Sequence, residues 1–281
     1  MRARLALFSA LVLALTLAAP VAAKPPTGLY LALGDSLAVG DGASDWDATA
    51  YVPLMADYFA GTPHGDAKLT ANLAVGGETT ATFLAGQVYA AMAAIGDPTT
   101  DTKIVTLSIG GNDLLDLMND ETDACRLNPV SAECQGQVAY YLAQVATNYP
   151  TILGMLDAAL DADPGDEQFF VVTLYNPFGG TGSPFEEPID VALLGADLAV
   201  DCTALANPYN VGLDDIMACV TLATGTFVDR EFIVVDGYTA IGDNALAMTH
   251  IGGPVFNIHP NDAGYAAIAE AHRLAARSAM Q

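Results

Sequence analysis

Residues 29–36 read LYLALGDS: five apolar residues followed by a glycine, an acid and a serine. A short apolar run that ends in turn residues is typical of a buried strand in a parallel sheet. Side chains that follow such a strand lie at the carboxyl edge of the sheet, where α/β proteins bind their ligands. Ser36 is therefore a candidate nucleophile, although the same residue types also form a plain turn with a helix N-cap.

Outward from this stretch, four further apolar runs alternate with longer segments of helical spacing. The predicted strands are residues 29–33, 69–75, 104–109, 169–174 and 232–235, all expected to be buried. The predicted helices are residues 50–59, 79–95, 138–160 and 263–279. This alternation is typical of a doubly wound α/β fold with a parallel sheet.

The amino-terminal residues predict a signal peptide, residues 1–23. Arg2 and Arg4 precede an apolar run, residues 5–17, and the small-residue ending Val21-Ala22-Ala23 favours cleavage there. A retained membrane anchor is the alternative, and it needs roughly 20 apolar residues. We expect a secreted protein with one domain, residues 24–281, and no stable membrane insertion after cleavage.

Four cysteines follow the predicted leader in two local pairs, and in an exported chain such pairs predict disulfides. We expect Cys125–Cys134 and Cys202–Cys219. A zinc site is the alternative, but the CxxC-like spacing that it favours is absent. Each pair lies in an excursion from the strand and helix alternation, at about residues 119–136 and 176–225, where disulfides would hold otherwise weakly packed loops beside the functional face.

The chain is strongly acidic, with a formal net charge of −24 that becomes −26 once Arg2 and Arg4 are removed with the leader. Such a surface repels nucleic acid and anionic membranes. We therefore expect no nucleic-acid partner, and we expect a monomer. Acidity alone does not indicate a metal site, because scattered Asp residues are typical of a solvated surface.

Two further segments follow predicted strands and carry groups suited to binding an anion. Residues 72–80 read NLAVGGETT, and the backbone N–H of Gly77 can approach a substrate closely. Residues 108–114 read SIGGNDL, and the side chain of Asn112 offers an N–H donor. Each segment also fits a simple strand-to-helix turn, capped by Thr79 in the first and by Asn112 or Asp113 in the second.

Among the four histidines, His259 lies in the most constrained setting. Residues 257–265 read NIHPNDAGY, so a proline and capping residues fix the start of the last predicted helix directly after it. None of His64, His250 and His272 is directly followed by a proline. His259 is therefore the candidate functional histidine, held rigidly beside the sheet edge.

These four segments, in this order and spread over the whole mature length, resemble the sequence blocks of the GDSL (SGNH) hydrolases. The resemblance implies a three-layer, flavodoxin-like sheet of about five strands. It implies Ser36 as nucleophile and His259 as general base, with the Ser36 and Gly77 N–H groups and the Asn112 side chain as oxyanion hole. It also implies a small-molecule or lipid carboxylic ester as substrate, and no cofactor or metal.

The sequence departs from the family pattern at one position. The family usually has an Asp three residues before the histidine, and here that residue is Phe256. A backbone carbonyl, Asn257 or an Asp from another loop such as Asp236 would then orient the imidazole. We favour the backbone carbonyl, because any acceptor can set the orientation and tautomer of the ring.

Other functions remain open. A secreted binding module that has lost catalysis is one, because the usual Asp is missing, and a carbohydrate acetyl esterase is another. An α/β-hydrolase would need Gly-x-Ser-x-Gly, which is absent, and a metallophosphoesterase would need more histidines than four scattered ones. The apolar runs 191–194 and 198–200 would suit an acyl groove or ordinary helix packing equally well.

Overall fold

The computed structural model describes residues 26–61, 66–119, 123–163, 166–200, 202, 211–226 and 231–279. The predicted signal peptide, residues 1–23, lies outside these ranges. Within them, no helix combines the length and the apolar character that crossing a membrane requires.

Five parallel strands form one sheet, in the order β2-β1-β3-β4-β5. The strands are β1 Thr27–Gly34, β2 Ala67–Asn72, β3 Thr100–Ser108, β4 Gln168–Val172 and β5 Glu231–Val235. This order is the flavodoxin-like, doubly wound arrangement that was expected. The winding direction reverses between β1 and β3, and ligands of such sheets bind outside the carboxyl ends of the strands at that point.

Helices connect the strands and cover both faces of the sheet. They are α1 Ser36–Val39, α2 Tyr51–Gly61, α3 Thr80–Ala85, α4 Gln87–Ile95, α5 Gly111–Asn119, α6 Ala124–Leu127, α7 Ala132–Leu160, α8 Glu186–Leu194, α9 Leu213–Gly225, α10 Gly237–Ile241, α11 Ala245–Met248 and α12 Asp262–Ala279. A short 3₁₀ turn, Gly242–Asn244, joins α10 to α11.

Alternating side chains of β1 divide the interior into two cores. Leu29, Leu31 and Leu33 pack with residues of α3, α4, α5, α7 and α9 on one face. Tyr30 and Ala32 pack with residues of α1, α2, α10 and α12 on the other. Because successive strand residues point to opposite faces, an all-apolar strand requires helices on both sides. The three-layer architecture follows from this pattern.

Two predicted elements differ from the structure. The helix predicted over residues 79–95 is two helices, α3 and α4, which meet at Gly86, where the backbone leaves helical geometry with φ −142° and ψ −73°. The expectation that β2 is buried is wrong. It is an edge strand, so only one of its sides is paired. Its Leu69 is 44% exposed.

Both predicted disulfides are confirmed. Cys125–Cys134 joins α6 to α7, and Cys202–Cys219 joins the segment after α8 to α9. The expectation of weak packing is wrong for the end of the second excursion, because α9 is a core helix that packs against β5. Its N-terminal half is almost entirely buried, which anchors the second disulfide to the sheet.

Candidate active site

Ser36 is the first residue of α1, at the carboxyl end of β1. The N-cap of α1 is Asp35, whose side chain accepts a hydrogen bond from the Leu37 N–H at 3.0 Å. The Ser36 hydroxyl is thus not used as the cap. It lies at the edge of the sheet that binds ligands, beside the amino-terminal N–H groups of a helical turn.

Gly34 and Gln87 fix the turn that presents Ser36. Gly34 has φ +126°, and a Cβ added there would lie 1.8 Å from the Ser108 carbonyl oxygen, so only glycine fits. The Gln87 side-chain amide pairs with both backbone groups of Gly34: Oε1 accepts from its N–H at 2.6 Å, and Nε2 donates to its carbonyl at 2.8 Å. The turn that carries Ser36 is therefore held from the neighbouring helix α4.

The structure brings His259 to Ser36 across 223 residues of sequence. His259 precedes α12, and its Nε2 lies 2.9 Å from the Ser36 Oγ. This is hydrogen-bond distance for proton transfer between a nucleophile and a general base.

The side chain of Asn257 orients the imidazole. Its Oδ1 accepts from the backbone N–H of His259 at 2.9 Å and lies 2.8 Å from the ring Nδ1. Because a backbone N–H only donates, the atom facing it is the amide oxygen, and Nδ1 must carry the proton that it shares with this oxygen. Nε2 is then the unprotonated nitrogen, which is the one that faces Ser36.

Our preference for a backbone carbonyl as the partner of His259 is therefore wrong. The ring nitrogen Nδ1 instead donates to the side-chain amide oxygen of Asn257, two residues earlier. Asp236, another alternative, caps α10 by accepting from the Thr239 N–H at 2.8 Å. Phe256, at the position of the usual acid, is 56% exposed and packs near Phe178, with ring centroids 6.3 Å apart.

Several backbone contacts hold the loop that carries His259. The Tyr175 hydroxyl donates to the Ile258 carbonyl at 2.8 Å, and the His250 N–H donates to the His259 carbonyl at 3.0 Å. Pro260 bridges to Thr249 in antiparallel fashion. The ring is thus positioned by a loop that is bonded on both sides of it.

Burial lowers the pKa of His259 below its ordinary value of 6.5. Asp41 opposes this shift by favouring the imidazolium, and His250 adds to it. The imidazole is consequently neutral at pH 7 and able to accept a proton.

The other histidines have different surroundings. His250 donates from Nε2 to the Gly42 carbonyl at 2.8 Å. His272 is fully buried in α12, stacks on Tyr51 and donates from Nδ1 to the Ile268 carbonyl. His64 lies outside the described residues.

The segment with Gly77 runs beside the turn that carries Ser36 and is bonded to Asn112. The Val75 N–H donates to the Gly34 carbonyl at 2.9 Å, and the Asn112 Nδ2 donates to the Glu78 carbonyl at 2.9 Å. Gly77 lies between these two anchors with φ +79°, a conformation that favours glycine. Asn112 lines a cavity together with Ser36 and His259, whereas Gly77 does not line it.

Helix capping accounts for Thr79 but not for Asp113. Thr79 is the N-cap of α3, as the capping alternative proposed. Asp113, near the start of α5, instead bonds to another helix: its carboxylate accepts from the Thr80 N–H at 2.9 Å and from the Thr80 hydroxyl at 2.7 Å. Asn112 and Asp113 therefore lock the Gly77 segment to α5.

A cavity of about 90 Å³ adjoins these groups, and we call it the apolar cavity. Apart from Asp35, Ser36, Asn112 and His259, its walls are formed by apolar or aromatic side chains and Gly111: Leu37, Leu114, Leu115, Met118, Leu174, Tyr175, Pro177, Phe178, Ile189, Ala192, Leu193, Phe256 and Ile258. Within the apolar run 191–194, Ala192 and Leu193 line it. Leu198 and Val200, from the second run, are exposed.

A larger cavity of about 580 Å³, the wide cavity, shares Asn112, Phe256 and His259 with the apolar cavity. Its rim includes Val255, which is 73% exposed, and the polar side chains of His250 and Asn257. His259 thus lines both the apolar cavity and the more open, partly polar wide cavity, and Ser36 lines the apolar cavity. Among the described residues, no group of three or more His, Cys, Asp or Glu side chains is placed to hold a metal ion.

Asp35, next to the candidate nucleophile, is 3% exposed, and burial raises its pKa to about 7. Hydrogen bonds from the Leu37 N–H and the Ser108 hydroxyl partly oppose this shift. An acid in this setting changes charge near neutral pH, directly beside Ser36 in the chain.

Solved structures share this fold at low sequence identity. An extracellular lipase from Streptomyces rimosus matches with TM-score 0.57 and 22% identity over 88% of this chain and 99% of its own. A phospholipase A1 from Streptomyces albidoflavus matches with TM-score 0.58 and 20% identity over 89% and 99%. A variant of an acetyl-xylooligosaccharide esterase from Geobacillus matches with TM-score 0.52 and 14% identity over 88% and 93%.

No curated protein matches the sequence significantly. The model of one protein family, described as the GDSL-like lipase/acylhydrolase family, matches residues 32–267, a range that contains Ser36, Gly77, Asn112 and His259. The chain belongs to the GDSL-like lipase/acylhydrolase family.

Proposed function

We propose that this chain is a secreted serine hydrolase that cleaves carboxylic esters through an acyl-enzyme on Ser36. The observation that carries the proposal is the hydrogen-bonded series from Ser36 through His259 to Asn257, at the junction of two cavities. Membership of a family of lipases and acylhydrolases supports the same reaction class.

The geometry supports the following sequence of steps. The Ser36 Oγ attacks the ester carbonyl while the His259 Nε2 takes its proton, and Asn257 holds the opposite ring nitrogen. The resulting imidazolium returns that proton to the leaving alcohol as the carbon–oxygen bond breaks. Water, activated by the same nitrogen, then attacks the acyl-enzyme and releases the carboxylic acid and the Ser36 hydroxyl.

For the tetrahedral intermediate we propose an oxyanion hole made of the Ser36 N–H, the Gly77 N–H and the Asn112 Nδ2. The bond between Asn112 and the Glu78 carbonyl supports this role, because it sets the amide beside the Gly77 segment. Each donor of this kind is typically worth about 3 to 4 kcal/mol in the transition state.

The two cavities suggest how an ester would lie. The apolar cavity suits the acyl chain, because its walls are almost entirely hydrocarbon. The wide cavity suits the alcohol part, including a bulky one such as a sugar or a lipid headgroup, since it is open and partly polar. We therefore propose esters of short to medium acyl chains, with few limits on the alcohol.

We further propose that residues 1–23 are a signal peptide and residues 24–281 a single catalytic domain that acts as a monomer. Two disulfides support secretion, because such bonds persist in oxidising compartments. The strongly acidic composition opposes binding to nucleic acid.

The experiment is hydrolysis of p-nitrophenyl esters from acetate to decanoate, beside acetylated xylan, with and without a chelator. Ser36→Ala should lose at least about 1000-fold in kcat. Ser278→Ala, a serine on the surface of α12, is the matched control and should keep full activity. A binding module without catalysis would hydrolyse none of these esters, and a metal-dependent enzyme would be inhibited by the chelator.

A further inference from the structure

A third cavity, the side cavity, lies next to the apolar cavity and has a volume of about 40 Å³. Its walls include Leu117, Val138, Pro188 and the Cys125–Cys134 disulfide. None of these residues lines the apolar cavity. The side cavity is therefore a separate hydrocarbon space under α6, α7 and α8.

Four side chains line both spaces and so form the wall between them: Leu114, Met118, Ile189 and Ala192. Two come from α5 and two from α8. Met118 also lines the wide cavity, and of the described residues it alone lines all three. It lies on the same face of α5 as Leu114 and Leu115, which are four and three residues before it, respectively.

Met118 is also the most adaptable part of this wall. Methionine is unbranched and has three rotatable side-chain bonds, whereas Leu and Ile are branched and stiffer. Ala192 has no side-chain rotamer at all. Of the four wall residues, Met118 is thus the one whose side chain changes position most readily.

We propose that Met118 is a specificity-determining residue that sets the longest acyl chain accepted, by closing the side cavity off from the apolar cavity. The inference rests on the proposed function, because it needs an acyl chain bound beside Ser36. A cavity of about 150 Å³ holds benzene, so by proportion the apolar cavity of about 90 Å³ takes roughly four carbons. Opening the wall would add space for longer chains.

The test is the ratio of kcat/KM for p-nitrophenyl octanoate to that for the butyrate. Met118→Ala removes three heavy atoms from the wall and joins the side cavity to the apolar cavity. By the same proportion, the side cavity of about 40 Å³ takes roughly two of the four extra methylenes of octanoate. Burial favours each of these methylenes by about fourfold, so the ratio should rise by about 15-fold. The wild-type protein should prefer the butyrate.

Met155→Ala is the matched control. It makes the same deletion at a partly buried methionine of α7 that packs on the same core and lines none of the three cavities. Its octanoate-to-butyrate ratio should equal that of the wild type. A shift of similar size in this variant would show that general loosening of the core, and not the wall, changes the preference.

Met118→Val is a milder truncation of the same side chain and serves if Met118→Ala fails to unfold cooperatively. It shortens the side chain that closes the wall, so the ratio should rise above the wild-type value. An unchanged ratio in a folded Met118→Ala, or in Met118→Val if only that variant folds, would overturn the inference while leaving ester hydrolysis in place. Absence of any Ser36-dependent turnover in the wild type would instead overturn the proposed function and the inference with it.

Discussion

The Oδ1 of Asn257 lies 2.8 Å from the Nδ1 of His259, in the position where a carboxylate would be expected from the family pattern. The same oxygen accepts from the His259 backbone N–H, which fixes the orientation of the amide and the tautomer of the ring. The proposed general base, His259, is therefore oriented by a neutral group. A neutral partner sets geometry but contributes no full charge to stabilise the imidazolium.

Asn257→Ala should lower kcat/KM by about 100-fold, because the ring loses the acceptor that sets its tautomer. Steady-state hydrolysis of p-nitrophenyl butyrate measures this. Asn244→Ala removes an exposed asparagine that does not cap its helix with a side-chain bond, and it should be neutral. Wild-type activity in Asn257→Ala would show that the contact plays no part in catalysis.

Asn257→Asp should move the acid limb of the pH profile upward. His259 acts as a base only when neutral, so activity is lost as pH falls through its pKa, which burial holds below 6.5. A carboxylate beside Nδ1 favours the imidazolium and raises that pKa. The pH dependence of kcat/KM should therefore show a midpoint below 6.5 in the wild type and a higher one in the variant. Coincident midpoints would contradict the assignment of His259 as the titrating base.

Gln87→Leu should destabilise the protein and weaken catalysis together. It leaves the Gly34 N–H unpaired and removes one of the two hydrogen bonds that the Gly34 carbonyl accepts, the other coming from the Val75 N–H. An unpaired buried group costs about 1 to 3 kcal/mol and a lost hydrogen bond about 1 kcal/mol. We expect a loss of about 3 kcal/mol in the free energy of unfolding, measured in urea, and at least a tenfold lower kcat from a looser nucleophile turn. The same exchange at the exposed Gln135 should change neither quantity, and equal effects at both positions would refute the role of Gln87.

Asp35→Asn should remove a pH dependence of stability. Burial raises the folded pKa of Asp35 to about 7, so between about pH 4 and 7 the folded state keeps a proton that the unfolded state has lost. The stability that the protonated Asp35 carboxyl contributes is fully present below the unfolded pKa and is lost as pH rises through 7. The loss is roughly 4 kcal/mol at most. Asparagine keeps the cap, so the variant should be more stable than the wild type at pH 8.

Urea unfolding at pH 4 and pH 8 measures this difference for Asp35→Asn, with the exposed Asp47→Asn as control. The stability of Asp35→Asn minus that of the wild type should increase from pH 4 to pH 8. The same difference for Asp47→Asn should stay flat. A flat difference for Asp35→Asn would mean that its carboxyl ionises as readily in the folded protein as in the unfolded chain.

His272→Phe should protect the fold against acid. Burial lowers the pKa of His272 to about 4, so the unfolded state binds a proton as pH falls from 6.5 toward 4 and the folded state does not. The folded protein therefore loses about 3 kcal/mol of stability as pH falls from 6.5 to 4. Phenylalanine keeps the stacking on Tyr51 and cannot be protonated. Equal acid sensitivity of variant and wild type would contradict this origin.

The sequence predicted the sheet well where strands are central. The runs around Leu31, Val105 and Phe170 are apolar on both faces because helices cover both faces, and that pattern is readable from residue types alone. The edge strand β2 was misjudged, since Leu69 is apolar and nevertheless exposed. Cysteine pairing was predictable because each pair is close along the chain.

The candidate site was predictable as far as its residues follow strands. Ser36, Asn112 and His259 were each found from a turn after an apolar run or before a helix, and the structure brings them to one cavity. Gln87 was not found, because its partner Gly34 is 53 residues away and a glutamine in a helix carries no local signal. Asn257 was only one of several alternatives, since the choice among acceptors depends on a loop conformation that spacing does not determine.

The most direct test is mass-spectrometric mapping of the adduct formed with a fluorophosphonate, combined with its rate of formation. We expect a single adduct on Ser36, formed at least about 1000-fold more slowly in His259→Ala, because the neutral imidazole 2.9 Å away takes the serine proton during attack. An adduct on another residue, or modification of His259→Ala at the wild-type rate, would contradict a Ser36 nucleophile activated by His259.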